Sequence, residues 1–187
     1  REHVVFNVVV HVPVDEPADG VHVDRAAVQA VVDDVVRQTA VLKKAGVAGA
    51  PKTWDEFFAA AEKVKKAGLI AVAHGGQNWQ DFTTFETVVL GVGGAKFFND
   101  ALIKLDPKAL TSETMSKSLE TFRKVKAYTD AAAPGRDWNL ATAMVIQEKA
   151  AFQFMGDWAK GEFTAAGKVP GKDYICAAAP GTANAYT

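Results

Sequence analysis

Along most of this chain apolar residues recur with the helical period, and short solid apolar runs separate the periodic stretches. LKKAG closes one helix at Gly46, and PKTWDEFF opens the next with Thr53 as N-cap and acids in the first turn. Glu56, three residues on, completes the pattern of a capping box. Phe57, Phe58, Ala61 and Val64 give this helix a buried stripe that ends at Gly68. LIAVA, from Leu69 to Ala73, is short, apolar and bounded by glycines, the pattern of a buried strand in a parallel sheet. A helix carrying Phe82, Phe85, Val88, Val89 and Leu90 follows, then one over 95–105 and one over 112–128 with Met115, Leu119, Phe122 and Val125 at helical spacing. A polar loop, 133–139, leads into a helix through Ala141, Met144, Val145 and Ile146. A strand over 151–155, a corner at Gly156, a short helix and a last strand over 174–178 complete the series. Alternating helices and buried strands predict an α/β fold: a short, mostly parallel sheet layered between helices, with the strands near Leu69 and Ala151 central.

Residues 1–40 have a different texture. VVFNVVVHVPVD reads as a strand, and DRAAVQAVVDDVVRQ as a helix capped by Asp24 with Val28, Val31, Val32, Val35 and Val36 on one stripe. Valine is a mediocre helix former, so a stripe built almost wholly from it is atypical. The chain therefore divides into this strand-helix segment, 1–40, and an ordinary α/β region, 41–187.

Composition narrows the function. With 187 residues, 49% of them hydrophobic, the chain can bury the core of one domain or of one lobe of something larger. A formal charge of -1 with interspersed signs is not the footprint of a nucleic-acid binder or of a polybasic membrane-surface protein. The single Cys176 lies in an apolar string and reads as a buried, inert thiol, which excludes an intramolecular disulfide. No apolar run reaches the roughly 18 residues of a membrane span. Arg1 does not open a signal peptide, so the chain is expected to be cytosolic or already processed.

Several chemistries lack their residues. HGG after a buried strand is similar to the oxyanion segment of esterases, but the serines are Ser112, Ser116 and Ser118 on a polar helix, and no G-x-S-x-G elbow exists. Gly91, Gly93 and Gly94 follow a helix rather than a strand and lack the dinucleotide spacing; they are expected to terminate that helix. Gly171-Lys172-Asp173 does not make a phosphate loop. His3, His11, His22 and His74 have no metal-ligand spacing, so neither a metal nor a cofactor is expected.

The tryptophans are distributed in a way that chemistry can use. Trp54 starts an amphipathic helix beside Phe57 and Phe58 and reads as packing. Trp79, Trp138 and Trp158 each lie beside turn formers and polar groups: Gln77, Asn78, Gln80 and Asp81 near the first, Arg136, Asp137 and Asn139 near the second, Asp157 and Lys160 near the third. Each could be a plug over the core. Together they suit a sugar, whose C–H face lies on an aromatic ring while its hydroxyl rim needs donors and acceptors. Open α/β sheets bind ligands outside the carboxyl ends of their strands, where Trp79 and Trp158 would stand.

From about Leu42 onward the sequence resembles the carboxyl-terminal lobe of a family-1 extracellular solute-binding protein, nearest to the glucose receptors of bacterial ATP-binding-cassette importers. The resemblance rests on LKKAGVAGAPKTWDEFFAAAEKVKKAG, LIAVAHGGQNWQD, FETVVLGVGGAKFF, PGRDWNLATAMVIQEKAAFQFMGDWAKGEF and PGKDYICAAAPGT. It implies one lobe of a two-lobed, type II-like periplasmic binding protein that closes on one glucose-like monosaccharide and delivers it to a membrane permease. It further implies substrate-binding roles for Trp158, Trp138 and Trp79, with Gln77, Asp137 and Asp157 on the hydroxyl rim, and no catalytic residue. Residues 1–40 depart from the family's usual entry into this lobe, and the amino-terminal lobe is expected to lie outside the chain. The alternatives are a carbohydrate-active hydrolase using carboxylates such as Asp137 and Asp157, and an inactive folding module.

Overall fold

The computed structural model describes residues 3–7 and 40–182. The valine-rich helix expected from Asp24 lies outside the described residues.

Among the described residues four strands form one wholly parallel sheet: β1 (His3–Asn7), β2 (Ile70–Val72), β3 (Ala150–Met155) and β4 (Tyr174–Ala177), in the spatial order β2-β3-β1-β4. The register sets Val4 opposite Phe152 and Ile175, and Val72 opposite Phe152. Every residue of β3 is buried, as a strand covered on both faces requires. β3 is an inner strand as its sequence predicts, whereas β2 is an edge strand among the described residues and not a central one. Its outer side carries a short parallel pairing of Val72 with Thr129, with the Val72 amide donating to the Tyr128 carbonyl at 3.2 Å. The inner place beside β3 belongs to β1. An apolar run bounded by glycines identifies a buried strand but not its neighbours.

The helices are α1 (Ala40–Lys44), α2 (Trp54–Lys66), α3 (Asn78–Phe98), α4 (Pro107–Leu110), α5 (Glu113–Lys126), α6 (Trp138–Ile146) and α7 (Ala159–Ala165), with a π-type turn over Asn99–Ile103. Thr53 caps α2 through the Glu56 amide at 3.2 Å, but the Glu56 carboxylate reaches back to the Lys52 amide at 2.7 Å, one residue before the cap. Among the three glycines at 91–94, Gly94 alone breaks the helical path, at φ 75° and ψ 175°. Gly91 remains helical and admits a crossing chain, since a Cβ there would collide with the Pro180 carbonyl.

Side chains of a strand alternate between faces, and β3 shows both. Phe152 and Phe154 meet Phe57 of α2 at ring centroid distances of 5.2 and 5.3 Å, in a core that also takes in Val41, Leu42, Val64, Val88 and Val125. Gln153 points the other way, to α6, where its amide donates to the Thr142 hydroxyl at 3.0 Å. A second core on that side joins Ala141, Val145, Phe163 and Tyr174, the last two stacked at 4.2 Å. Helices therefore cover both faces of the sheet, and the loops after β2 and β3 emerge at the same end.

Candidate functional site

Both of those loops carry a glycine that makes room for a side chain. At the corner after β3, Gly156 is buried and a Cβ on it would collide with the six-membered ring of Trp158. The chain turns through Asp157 and Trp158 into α7, and the indole folds back over the Gly156 backbone while remaining 52% exposed. After β2, Gly75 and Gly76 bring the chain against the loop over 133–136. A Cβ on Gly75 would strike the Gln80 amide, and one on Gly76 would strike the backbone of Ala133 to Gly135. Trp79, in the first turn of α3, is 41% exposed.

The two indoles meet at a centroid distance of 6.5 Å and an interplanar angle of 49°. A sugar sandwiched between parallel rings needs two van der Waals contacts of about 3.5–4 Å each. At 6.5 Å and tilted, these rings form instead one angled apolar floor open to solvent.

A polar wall stands beside it. Gln77 donates from Nε2 to Asp137 Oδ1 at 2.5 Å, and its Oε1 accepts from Trp79 Nε1 at 2.8 Å and from Gln80 Nε2 at 3.1 Å. Asp137 is exposed, and its Oδ2 makes no hydrogen bond among the described residues. Trp138, the first residue of α6, is half-buried, and its carbonyl accepts from the Thr142 hydroxyl at 3.0 Å and from the Gln153 amide at 3.3 Å. Asp157 is exposed beside Trp158, its carboxylate unbonded among the described residues. The structure thus brings Trp79, Trp158, Gln77 and Asp137 into one array, with Trp138 and Asp157 adjoining it in the chain. No ring contact joins Trp138 to the other two indoles among the described residues.

Braces beneath the array escaped the reading of the sequence. Arg136 grips Asp130 with two hydrogen bonds, 2.6 and 2.7 Å, and donates to the His74 carbonyl at 3.1 Å, so the loop before α6 is fastened to the end of β2. The guanidinium bonds hold the Asp130 carboxyl below its ordinary range. His74 is buried; its Nε2 lies 2.7 Å from Asp81 Oδ1, which also accepts from Lys126 Nζ at 2.5 Å. Burial, with the Lys126 charge adding to it, pushes the His74 pKa down against the pull of Asp81. Burial would raise the Asp81 carboxyl, but the hydrogen bonds from Lys126 and His74 outweigh it and hold it low. In sequence these residues are only polar neighbours of a Trp; the signal that could have found them is a charged residue placed where a buried strand ends.

Known proteins with similar sequences and folds bear on this site. The profile of the family described as Bacterial extracellular solute-binding protein matches residues 12–187. A probable sugar-binding periplasmic protein of Rhizobium meliloti is 51% identical over 148 residues, which are 79% of this chain and 35% of that protein. A protein of the same description from Mesorhizobium japonicum is 54% identical over 132 residues, 71% of this chain and 32% of its own length. This chain thus spans about a third of the length of these relatives. Among solved structures, a chitin oligosaccharide binding protein superposes with a TM-score of 0.58 at 26% identity, over 65% of this chain and 31% of that one. AcbH, a bacterial solute receptor with an exclusive preference for β-D-galactopyranose, superposes with a TM-score of 0.58 at 24% identity over 70% of this chain and 32% of its own, a likeness of fold alone. The Rhizobium, Brucella and Mesorhizobium relatives are described as periplasmic. No helix among the described residues is long and apolar enough to cross a membrane. With the profile running over nearly its whole length, the chain belongs to the bacterial extracellular solute-binding protein family.

Proposed function

We propose that this chain supplies the carboxyl-lobe half of a sugar site in the substrate-binding component of an ATP-binding-cassette importer, and that the ligand is glucose or a similar monosaccharide. The observation that carries the reading is the pair of exposed indoles, Trp79 and Trp158, at the carboxyl ends of two parallel strands beside the Gln77–Asp137 wall. Stacking on the indoles takes the apolar face of a pyranose, and the free oxygen of Asp137 takes a hydroxyl. Trp138 and Asp157 extend the same surface to either side. In this reading residues 41–187 form the lobe, residues 1–40 deliver β1 to its sheet, and a second lobe of the complete protein closes over the sugar.

The names of the relatives support a sugar as solute, and that of a 37% identical protein of Pyrococcus horikoshii, an uncharacterized ABC transporter extracellular-binding protein, supports a permease as partner. The protein binds and releases its sugar without chemistry. Calorimetry of the complete protein with D-glucose, D-galactose and D-xylose tests the reading: saturable binding strongest for glucose is expected, and binding of none of the three overturns it. Sustained release of chromophore from nitrophenyl glycosides would overturn the non-enzymatic assignment.

A further inference from the structure

We infer that Gln80 is a positioning residue whose buried amide sets the angle of the Trp79 plate and the place of the Asp137 carboxylate, an inference that rests on the sugar-site reading above. Gln80 lies in the first turn of α3 and is fully buried. Both protons of its Nε2 are used: one goes to Gln77 Oε1 and the other to the Arg136 carbonyl, each at 3.1 Å. Those acceptors belong to different loops, one following β2 and one preceding α6, so a single amide ties the two together.

The tie passes on through Gln77. Its carbonyl oxygen accepts from Gln80 and from the Trp79 indole, which fills both lone pairs and leaves none for a ligand. Its amide nitrogen holds Asp137 Oδ1 and leaves Oδ2 to the sugar. Gln77 is thus a relay between Gln80 and the two groups that face the ligand.

Glutamate and methionine, the nearest in size, cannot replace this pair of donors. Two acceptors on two loops require two donors on one planar group, which a carboxylate lacks and a thioether lacks. The fold makes room for it at Gly75, where any Cβ would occupy the space of the amide. Gln80 Oε1 is buried without a partner among the described residues, a burial cost that methionine or leucine would not incur. What the amide supplies in return is its pair of donors.

The test uses the complete protein and whichever of D-glucose, D-galactose and D-xylose the wild type binds most tightly. Gln80→Glu presents an ionised carboxylate to two acceptors and is expected to weaken binding at least about tenfold at pH 8. At pH 5 the buried carboxyl becomes neutral and donates one proton, so much of that loss is expected to return. Affinities are taken relative to wild type at each pH, which cancels the titration of Asp137, Asp130, Asp81 and His74 beside the fixed charges of Arg136 and Lys126. A weakening that is the same at both pH values, or none, overturns the inference. A wild type that binds none of the sugars instead overturns the sugar-site reading, so the two failures are distinct. Gln80→Met and Gln77→Ala supply an independent arm: one relay requires that the double variant bind no more weakly than the weaker single variant, and fold-losses that multiply as for independent sites overturn it.

Discussion

Trp54 and Trp158 both stand where a helix begins, yet the fold uses them in opposite ways. Trp54 is partly buried and packs against the core beneath the sheet, among Phe57, Phe58 and Phe154 at 5.7, 6.1 and 5.9 Å. Trp158 is half in solvent, with one ring neighbour among the described residues, Trp79. The difference is written one turn ahead. Residues three and four positions along share a helix face, and for Trp54 these are Phe57 and Phe58, whereas for Trp158 they are Gly161 and Glu162. An indole followed by rings is drawn into the core; one followed by a bare backbone and a carboxylate remains a surface.

The widest separation of the two should come from truncating each in the complete protein. Trp54→Ala is expected to lower unfolding stability by about 3 kcal/mol, read by urea denaturation, with sugar affinity retained in the folded fraction. Trp158→Ala is expected to change stability by less than about 1 kcal/mol and to abolish sugar binding in calorimetry. The reverse pattern would make Trp158 a core plug and remove the comparison altogether.

A gentler change tests the corner itself. Gly156→Ala pushes a methyl group into the Trp158 ring, which can swing into solvent because it is exposed. Weakened sugar binding with a melting temperature within a few degrees of wild type is expected. Unchanged affinity would mean that the orientation of the indole over the turn is immaterial.

Acid should loosen the frame under the exposed indoles before it affects the core around Trp54. His74 has its pKa lowered in the fold, so the unfolded chain binds the proton more tightly and stability falls as pH drops below the ordinary value of 6.5. Asp81, also lowered, adds a further loss only as pH falls below its ordinary 3.8. Melting temperatures measured from about pH 7.5 to about pH 4.5 should therefore decline, and His74→Gln should flatten that decline. An equally steep slope in the variant would place the acid sensitivity elsewhere.

The smallest effect expected is at Cys176, half-buried in β4, where burial raises the thiol pKa. Its reaction with an aromatic disulfide reagent at pH 8 should be slow in the native state and fast in urea. Rapid native reaction would mean that β4 opens readily and that the second core is less firm than the first.

The elements whose signals are local were legible from the residues alone. Thr53 caps its helix as its position suggests, and β3 and β4 fall within a residue of the apolar runs that announce them. The prominence of Trp79 and Trp158 was legible too, because turn formers and polar residues flank them. What could not be read was pairing across the chain. Gln80 looks like one more polar residue near a Trp, and only the approach of Arg136, 56 positions later, gives its second proton an acceptor. The Gly75–Gly76 pair looks like part of a hydrolase loop, and only the buried Gln80 amide against Gly75 and the crossing of Ala133 to Gly135 against Gly76 explain it as clearance. The place of β2 failed for the same reason: strand order depends on β1, whose pairing partners β3 and β4 lie about 150 and about 170 residues downstream.

That last arrangement also sets an order of assembly. β1 is filled in between β3 and β4, with Val4 beside Phe152 on one side and Ile175 on the other. A ribosome releases β1 long before either partner exists, so it must wait, unpaired, until β3 and β4 have been made. Contacts of such sequence separation close slowly, because the entropy of the intervening loop is spent before any pairing is gained. Until then β3 and β4 present two unpaired inner edges, the kind of surface that pairs with other chains. β1 is thus made well before its partners and is among the last strands to find its place, and the interval before it does is when this lobe is most exposed to aggregation.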